Sequence, residues 1–122
     1  MATNVSDPAA REYANALFLV ASEKGVVGTV FQDFSAVYHS YKHDKAFYTF
    51  FTSPKIPGET KRKLIDATFG PHIHQVTRNF LYLLVRKHRE LLLDNVFDAF
   101  AKHRDVAENR VHAFVETASP AD

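Results

Sequence analysis

Histidines are the residues of this chain whose type and spacing come nearest to metal chemistry. The chain has seven histidines and no cysteine, so a metal site would use imidazole rather than thiolate ligands. His39 and His43 are four residues apart, a spacing that brings two imidazoles to one face of a helix. No third ligand with fitting spacing lies beside them. We therefore interpret the pair as part of a solvated helix face and predict no metal site.

The sequence also lacks the spacing of a catalytic or cofactor-binding motif. Gly25 and Gly28 do not form a phosphate-binding loop, because no strand precedes them and no Gly-Lys-Ser/Thr follows. Ser53 stands directly before a proline, with no nucleophile-elbow motif around it. The carboxylates are spread along the chain, and none is forced by its neighbours into a dry pocket suited to acid–base catalysis. We predict no catalytic residue and no cofactor, and we expect a protein that is not an enzyme.

Two basic clusters could contact the phosphates of a nucleic acid. They comprise Lys55, Lys61, Arg62 and Lys63 in the first, and Arg86, Lys87 and Arg89 in the second. Acidic residues intersperse them: Glu59, Asp66, Glu90 and Asp94. Because the formal net charge is only +1, no strong field selects nucleic acid or an anionic membrane. We interpret both clusters as solvated faces and keep a helical nucleic-acid-binding domain as an alternative.

Helices are the elements that must position any site in this chain, whose 122 residues suit one domain. The predicted helices cover about Pro8–Lys24, Val26–Lys42, Ala46–Phe51, a segment closed by Gly70-Pro71, His72–Lys87 and Asp94–Asp105. The stretch Arg110–Thr117 is β-prone and partly alternating, which predicts an extended segment. We expect an all-α fold: a compact bundle of about six helices over residues 1–109 and a short extended C-terminal tail over residues 110–122. No apolar run reaches the ~18 residues needed to span a membrane, so we expect no direct membrane insertion.

The first predicted helix has more apolar surface than a core requires. Its apolar arc is roughly 200° wide, whereas a surface helix needs only about 100° to cover a core. The face expected in the core carries Ala10, Ala14, Leu17, Phe18 and Ala21. A second strip carries Ala9, Tyr13, Ala16 and Val20. Small residues let another helix approach closely and a tyrosine supplies an anchor, so this strip is a candidate contact for a partner.

The fifth predicted helix repeats this arrangement. Phe80, Leu81 and Leu84 face one way, while Val76, Asn79 and Leu83 lie toward another side. If the two helices lie side by side, their strips form a groove suited to an amphipathic helix. Periodicity leaves a second interpretation equally open, in which the short helices of the bundle cover both strips.

Four motifs, in order along nearly the whole chain, carry a family resemblance. They are Ala10-Arg11-Glu12-Tyr13-Ala14-Asn15-Ala16-Leu17-Phe18, followed by Ala21 and Glu23-Lys24-Gly25; Ser53-Pro54-Lys55-Ile56 before Lys61-Arg62-Lys63; Asn79-Phe80-Leu81-Tyr82-Leu83-Leu84; and Phe100 with Ala113-Phe114-Val115-Glu116-Thr117-Ala118-Ser119-Pro120. Together they resemble the delta subunit of bacterial F-type ATP synthase, the family of the mitochondrial oligomycin-sensitivity-conferring protein. The chain departs from the family where an Asn-Gly turn often follows the fifth helix, because Lys87-His88 stands there. A left-handed turn at His88 would carry a conformational cost.

The resemblance implies a stator component without catalytic activity, peripheral to the cytoplasmic face of the inner (plasma) membrane. It implies a groove between helices one and five that binds the N-terminal helix of an alpha subunit. Carried onto this sequence, the groove residues are Ala9, Tyr13, Ala16, Val20, Val76, Asn79, Phe80 and Leu83. Contacts to the b subunits of the peripheral stalk are expected mainly from a C-terminal domain that would follow Asp122. A different helical peptide-binding adaptor remains an alternative.

Overall fold

The described chain is built from helices whose ends coincide with capping residues and turn residues. The computed structural model describes the backbone of residues 7–118 and the side chains of residues 7–107. Within that range the α-helices are α1 Pro8–Glu23, α2 Val27–His43, α3 Lys45–Thr52, α4 Gly58–Phe69, α5 Gln75–Arg86 and α6 Leu93–Ala118. Two 3₁₀ turns, Gly70–His72 and Glu90–Leu92, flank α5. The all-α, six-helix prediction is confirmed, and none of the described helices is both long and apolar enough to cross a bilayer.

The ends of α1 follow from the chemistry of the flanking residues. Asp7 caps the helix, because its Oδ1 accepts from the backbone N–H groups of Ala9, at 2.9 Å, and Ala10. Pro8 occupies the first turn, where its missing N–H leaves no bond unmade. Gly25 ends the helix in a left-handed conformation, with φ of 68°, which costs glycine little. The predicted start and stop of this helix are therefore confirmed.

The core is a cluster of aromatic rings in which α6 packs against α1 and α2. Phe34 of α2 is fully buried at its centre, with ring centroids 5.6 Å from Phe80, 5.1 Å from Phe97 and 6.1 Å from Phe100. The face of α1 predicted for the core is buried at Ala10, Ala14, Leu17 and Ala21, with Phe18 half-buried. The aromatic residues thus hold α1, α2, α5 and α6 in one packed unit.

The sixth helix is longer than the sequence pattern predicts. It continues past Asp105, where we expected its end, so the backbone over residues 110–117 is helical. This corrects the extended conformation predicted for that segment. No glycine or proline interrupts residues 93–118, and extending an existing helix costs far less than starting one. The last residues of the predicted tail, 119–122, lie outside the described residues.

A carboxylate on α2 fixes the start of α5. Asp33 Oδ2 accepts from the backbone N–H of His74 at 2.7 Å and from Thr77 Oγ1 at 3.0 Å. The imidazole Nδ1 of His74 accepts in turn from the N–H of Val76, which caps the helix. Asp33 therefore adds a polar contact between α2 and the start of α5 to the apolar packing that holds this helix in the bundle.

We expect Asp33→Ala to lower the free energy of unfolding by about 2 kcal/mol, because it leaves the buried Thr77 hydroxyl without its partner. Urea denaturation followed by circular dichroism measures this loss. Asp33→Asn is the matched control: its amide oxygen can still accept, so it should lose less. Equal stability of Asp33→Ala and wild type would contradict the anchoring role.

His88 adopts the left-handed conformation that the family resemblance placed in doubt, with φ of 58°. A side chain in this region costs about 1–2 kcal/mol, so His88→Gly should raise the free energy of unfolding by about 0.5–1 kcal/mol after the extra entropy of glycine is subtracted. Gly25→Ala, which places a side chain on another left-handed residue, should change stability in the opposite direction. Chemical denaturation measures whether the free energy of unfolding rises in His88→Gly and falls in Gly25→Ala. A loss of stability in His88→Gly would contradict a strained turn.

Candidate functional site: a groove between α1 and α5

An apolar concavity of about 290 Å³ lies on the surface between α1 and α5. Its lining residues are Tyr13, Ala16, Leu17, Val20, Lys24, Val76, Asn79, Phe80 and Leu83. All the predicted groove residues except Ala9 are among them. Ala9 is half-buried and lies one helical turn before Tyr13, beyond the end of the concavity. We call this concavity the α1–α5 groove.

The groove has a buried floor and an accessible rim. Leu17, Val76 and Phe80 form the floor, with exposed fractions of 5%, 7% and 6%. Val20 on the rim is 41% exposed, and Ala16 is exposed beside it. The accessible strip of α1 is thus not covered by the short helices of the bundle.

The two large side chains at one end of the groove are half-buried. Tyr13 packs edge-to-face on Phe80 with ring centroids 6.4 Å apart, and Phe80 in turn contacts the core ring of Phe34. Leu83 lies on the opposite wall of the groove. Tyr13 and Leu83 are therefore partly packed against the bundle and partly exposed to solvent. Their exposed parts leave apolar area for a partner.

Residues from both flanking helices mark the ends of the groove. Arg89, which follows α5, places its guanidinium 5.8 Å from the ring centroid of Tyr13, near the start of α1. Val76, at the start of α5, lines the same concavity as Val20 and Lys24, at the end of α1. The groove lies between two helices, and a third helix can fill such a groove.

Sequence reasoning missed two of the lining residues. Leu17 was assigned wholly to the core, although its buried side chain forms part of the groove floor. Lys24 was interpreted only as a residue of the helix end. Its position continues the strip 9, 13, 16, 20 by one more step of four, so the period itself could have indicated it.

The basic clusters are not uniformly solvated, which corrects one prediction. Lys61 is only 3% exposed, and its Nζ lies 2.9 Å from Oε2 of the buried Glu90. Arg62 lies over the ring of Tyr82, and the Tyr82 hydroxyl donates to Asp66. These residues therefore contribute to the structure around α4 and α5.

Two other concavities have a different character. One, of about 420 Å³, mixes cations with a carboxylate and is lined by Tyr41, Lys42, His43, Lys45, Tyr48 and Asp94. Burial, with Asp94 nearby, raises the pKa of the Tyr41 hydroxyl above its usual range. The other, of about 500 Å³, is bordered by the Lys61–Glu90 ion pair. Both are lined by side chains of both charges, whereas no carboxylate lines the α1–α5 groove.

The rings of His39 and His43 do lie together, with centroids 4.6 Å apart. Among the described residues, however, no group of three or more histidine and carboxylate side chains could hold a metal ion. The pair therefore has no further ligand from the part of the chain that the structure describes.

Comparison with known proteins identifies the family. The family model described as ATP synthase delta (OSCP) subunit matches residues 9–122. The chain belongs to the ATP synthase delta (OSCP) subunit family. This finding confirms the resemblance drawn from the four sequence motifs.

Individual members of the delta family resemble most of this chain. It is 30% identical over 110 residues to ATP synthase subunit delta of Bacillus subtilis, a match that covers 90% of the chain and 60% of the relative. It is 32% identical over 110 residues to the Salinibacter ruber subunit, covering 90% and 58%. With the Moorella thermoacetica subunit it shares 35% identity over 109 residues, covering 89% and 61%. The chain thus spans about three fifths of the length of these relatives.

Proposed function

We propose that this chain acts as a stator component of F-type ATP synthase, without catalytic activity of its own. Membership of the delta (OSCP) family supports this role. As a stator component, the protein resists torque by linking the catalytic head to the peripheral stalk, so that the head does not turn with the rotor. Its place would be peripheral, at the cytoplasmic face of the inner (plasma) membrane.

The proposed contact to the head is the N-terminal helix of an alpha subunit, bound in the α1–α5 groove. The observation that carries this proposal is the accessible strip of small residues on α1, at Ala16 and Val20, beside an apolar floor. An amphipathic helix can lay its apolar face against such a strip because no large side chain holds it away. Burial of that face contributes about 25 cal/mol per Å², from which the costs of ordering and association are subtracted.

Contact with the b subunits of the peripheral stalk belongs to the same proposal. The relatives are longer than this chain, and we assign the stalk contact mainly to a C-terminal domain in the part of their length that it does not match. In this proposal the described bundle mainly contacts the head.

A calorimetric titration tests the contact to the head. The 122-residue chain is titrated with a synthetic peptide of the alpha-subunit N-terminus from the same organism. We expect one peptide bound per chain, a negative heat-capacity change from apolar burial, and affinity that changes only a few-fold between low and high salt. Absence of binding at millimolar peptide would contradict the proposal.

The same titration separates the alternatives. A helical nucleic-acid-binding domain would bind an oligonucleotide and lose about 10³–10⁵ in affinity between 50 and 200 mM salt. An adaptor for a different helix would leave the alpha-subunit peptide unbound while still binding another amphipathic peptide. Ligand identity and salt dependence therefore give each candidate its own result.

A further inference from the structure

One cationic side chain lies at each end of the α1–α5 groove. Lys24 lines one end, and the guanidinium of Arg89 lies over the Tyr13 ring at the other. On the wall between them, Asn79 Oδ1 accepts from Gln75 Nε2 at 2.7 Å, which leaves the Asn79 amide nitrogen free to donate. No carboxylate is among the lining residues. Among the lining residues, a helix in this groove therefore meets a cation and an amide donor but no carboxylate.

Neither cation is neutralised by the described part of the chain. Lys24 and Arg89 are both exposed, and neither forms an ion pair with a described carboxylate. A partner that supplies a carboxylate at either end gains an attraction without displacing an existing pair. Such rim charges act on specificity and on the rate of association more than on total affinity.

The distance between the two cations determines the length of a bound helix (the guest helix) that can reach both. From position 13 to position 24, α1 advances about 16 Å, and a guest helix alongside it covers that distance in about eleven residues. A guest of about three turns therefore reaches from Arg89 to Lys24 with its apolar stripe on the groove floor. Carboxylates just beyond each end of that stripe come within reach of the two cations.

We propose that the α1–α5 groove selects an amphipathic helix of about three turns that carries an acidic residue at each end of its apolar stripe. This inference rests on the proposed function, since it describes which alpha-subunit helix fits. Apolar burial supplies the affinity, and Lys24 and Arg89 discriminate among apolar helices by their flanking charge.

A matched set of three synthetic helical peptides tests the selection. They share one apolar stripe and differ only at its two ends, which carry glutamate, glutamine or lysine. We expect the glutamate peptide to bind about fivefold more tightly than the glutamine peptide, and the lysine peptide to bind about fivefold more weakly. These ratios should shrink toward one at 0.5 M salt, where the screening length falls to about 4 Å. Equal affinities at low salt, or no binding of the three, would overturn the inference.

A charge swap on the protein identifies the cation responsible. Lys24→Glu should weaken binding of the glutamate peptide about tenfold and strengthen binding of the lysine peptide. Lys63→Glu, on an exposed position of α4, makes the same change in net charge away from the groove and should alter neither. Identical responses of the two variants would mean that only net charge matters, which would also overturn the inference.

The outcomes separate this inference from the proposed function. If the alpha-subunit peptide binds but the three synthetic peptides do not differ, the function stands and the charge selection is wrong. If the glutamate peptide binds in the expected order but the alpha-subunit peptide does not, the groove chemistry stands and the assigned partner is wrong.

Discussion

Replacement of Leu83 by aspartate should weaken binding of the alpha-subunit peptide by at least about a hundredfold, because a carboxylate would be desolvated beneath the guest helix. Leu83 is half-buried on the groove wall, so in the free protein water still reaches the new carboxylate and the bundle should stay folded. Calorimetric titration measures the affinity, and circular dichroism checks the fold. Tyr13→Asp should have the same effect on binding, with a larger loss of stability from the broken Phe80 contact.

Leu19→Asp is the matched control for this substitution. Leu19 lies on α1 but outside the groove and is 62% exposed, so the same chemical change there should leave peptide affinity unaltered. Unchanged affinity in Leu83→Asp would remove the groove from consideration. An equal loss in Leu19→Asp would place the contact elsewhere on α1.

The buried ion pair between α4 and the turn after α5 gives the largest expected effect on stability. Lys61→Met removes the partner of Glu90, whose side chain is 9% exposed, and leaves an uncompensated buried carboxylate. We expect a loss of about 3–5 kcal/mol in the free energy of unfolding. Since the total free energy of unfolding of a single domain is roughly 5–15 kcal/mol, the variant should unfold at a much lower urea concentration than wild type.

A double variant separates the cost of an unpaired charge from the value of the pair. Lys61→Met with Glu90→Leu removes both charges, and apolar replacement of a buried pair is often neutral or stabilising. We expect it to recover most of the stability lost in Lys61→Met. If the single variant is as stable as wild type, the pair is not buried in solution. If the double variant recovers nothing, the loss comes from packing.

The Lys61–Glu90 ion pair and the α1–α5 groove are linked through the turn that follows α5. Glu90 is held by Lys61, and the preceding residue, Arg89, lies over Tyr13 at the end of the groove. The ion pair therefore restrains the segment that presents one of the two groove cations. Loss of the pair should disturb the groove at this end first.

Local chemistry made several features predictable from the sequence. Asp7, Pro8 and Gly25 mark the ends of α1 because capping, a first-turn proline and a left-handed glycine each act within a few residues. The apolar strip on α1 was predictable for the same reason, since helical periodicity places Tyr13 and Val20 on one side whatever lies opposite.

Features that depend on tertiary contacts were harder to predict from the sequence. Lys61 and Glu90 are twenty-nine positions apart, and nothing in their neighbours indicates that the fold buries them together. Phe80 serves the core and the groove at once, which a division into two faces does not represent. The length of α6 was missed because β-propensity over residues 110–117 is weak beside the low cost of extending a helix.

Methyl NMR spectroscopy of the labelled chain, titrated with the alpha-subunit peptide, shows whether the peptide binds in the α1–α5 groove. We expect the largest shifts at the groove methyl groups of Leu17, Val20, Val76 and Leu83. The exposed methyl groups of Leu19, Leu91 and Val106 lie outside the groove and should change little. Shifts concentrated on Leu19, Leu91 and Val106, with the resonances of the groove methyl groups unchanged, would contradict binding in the groove.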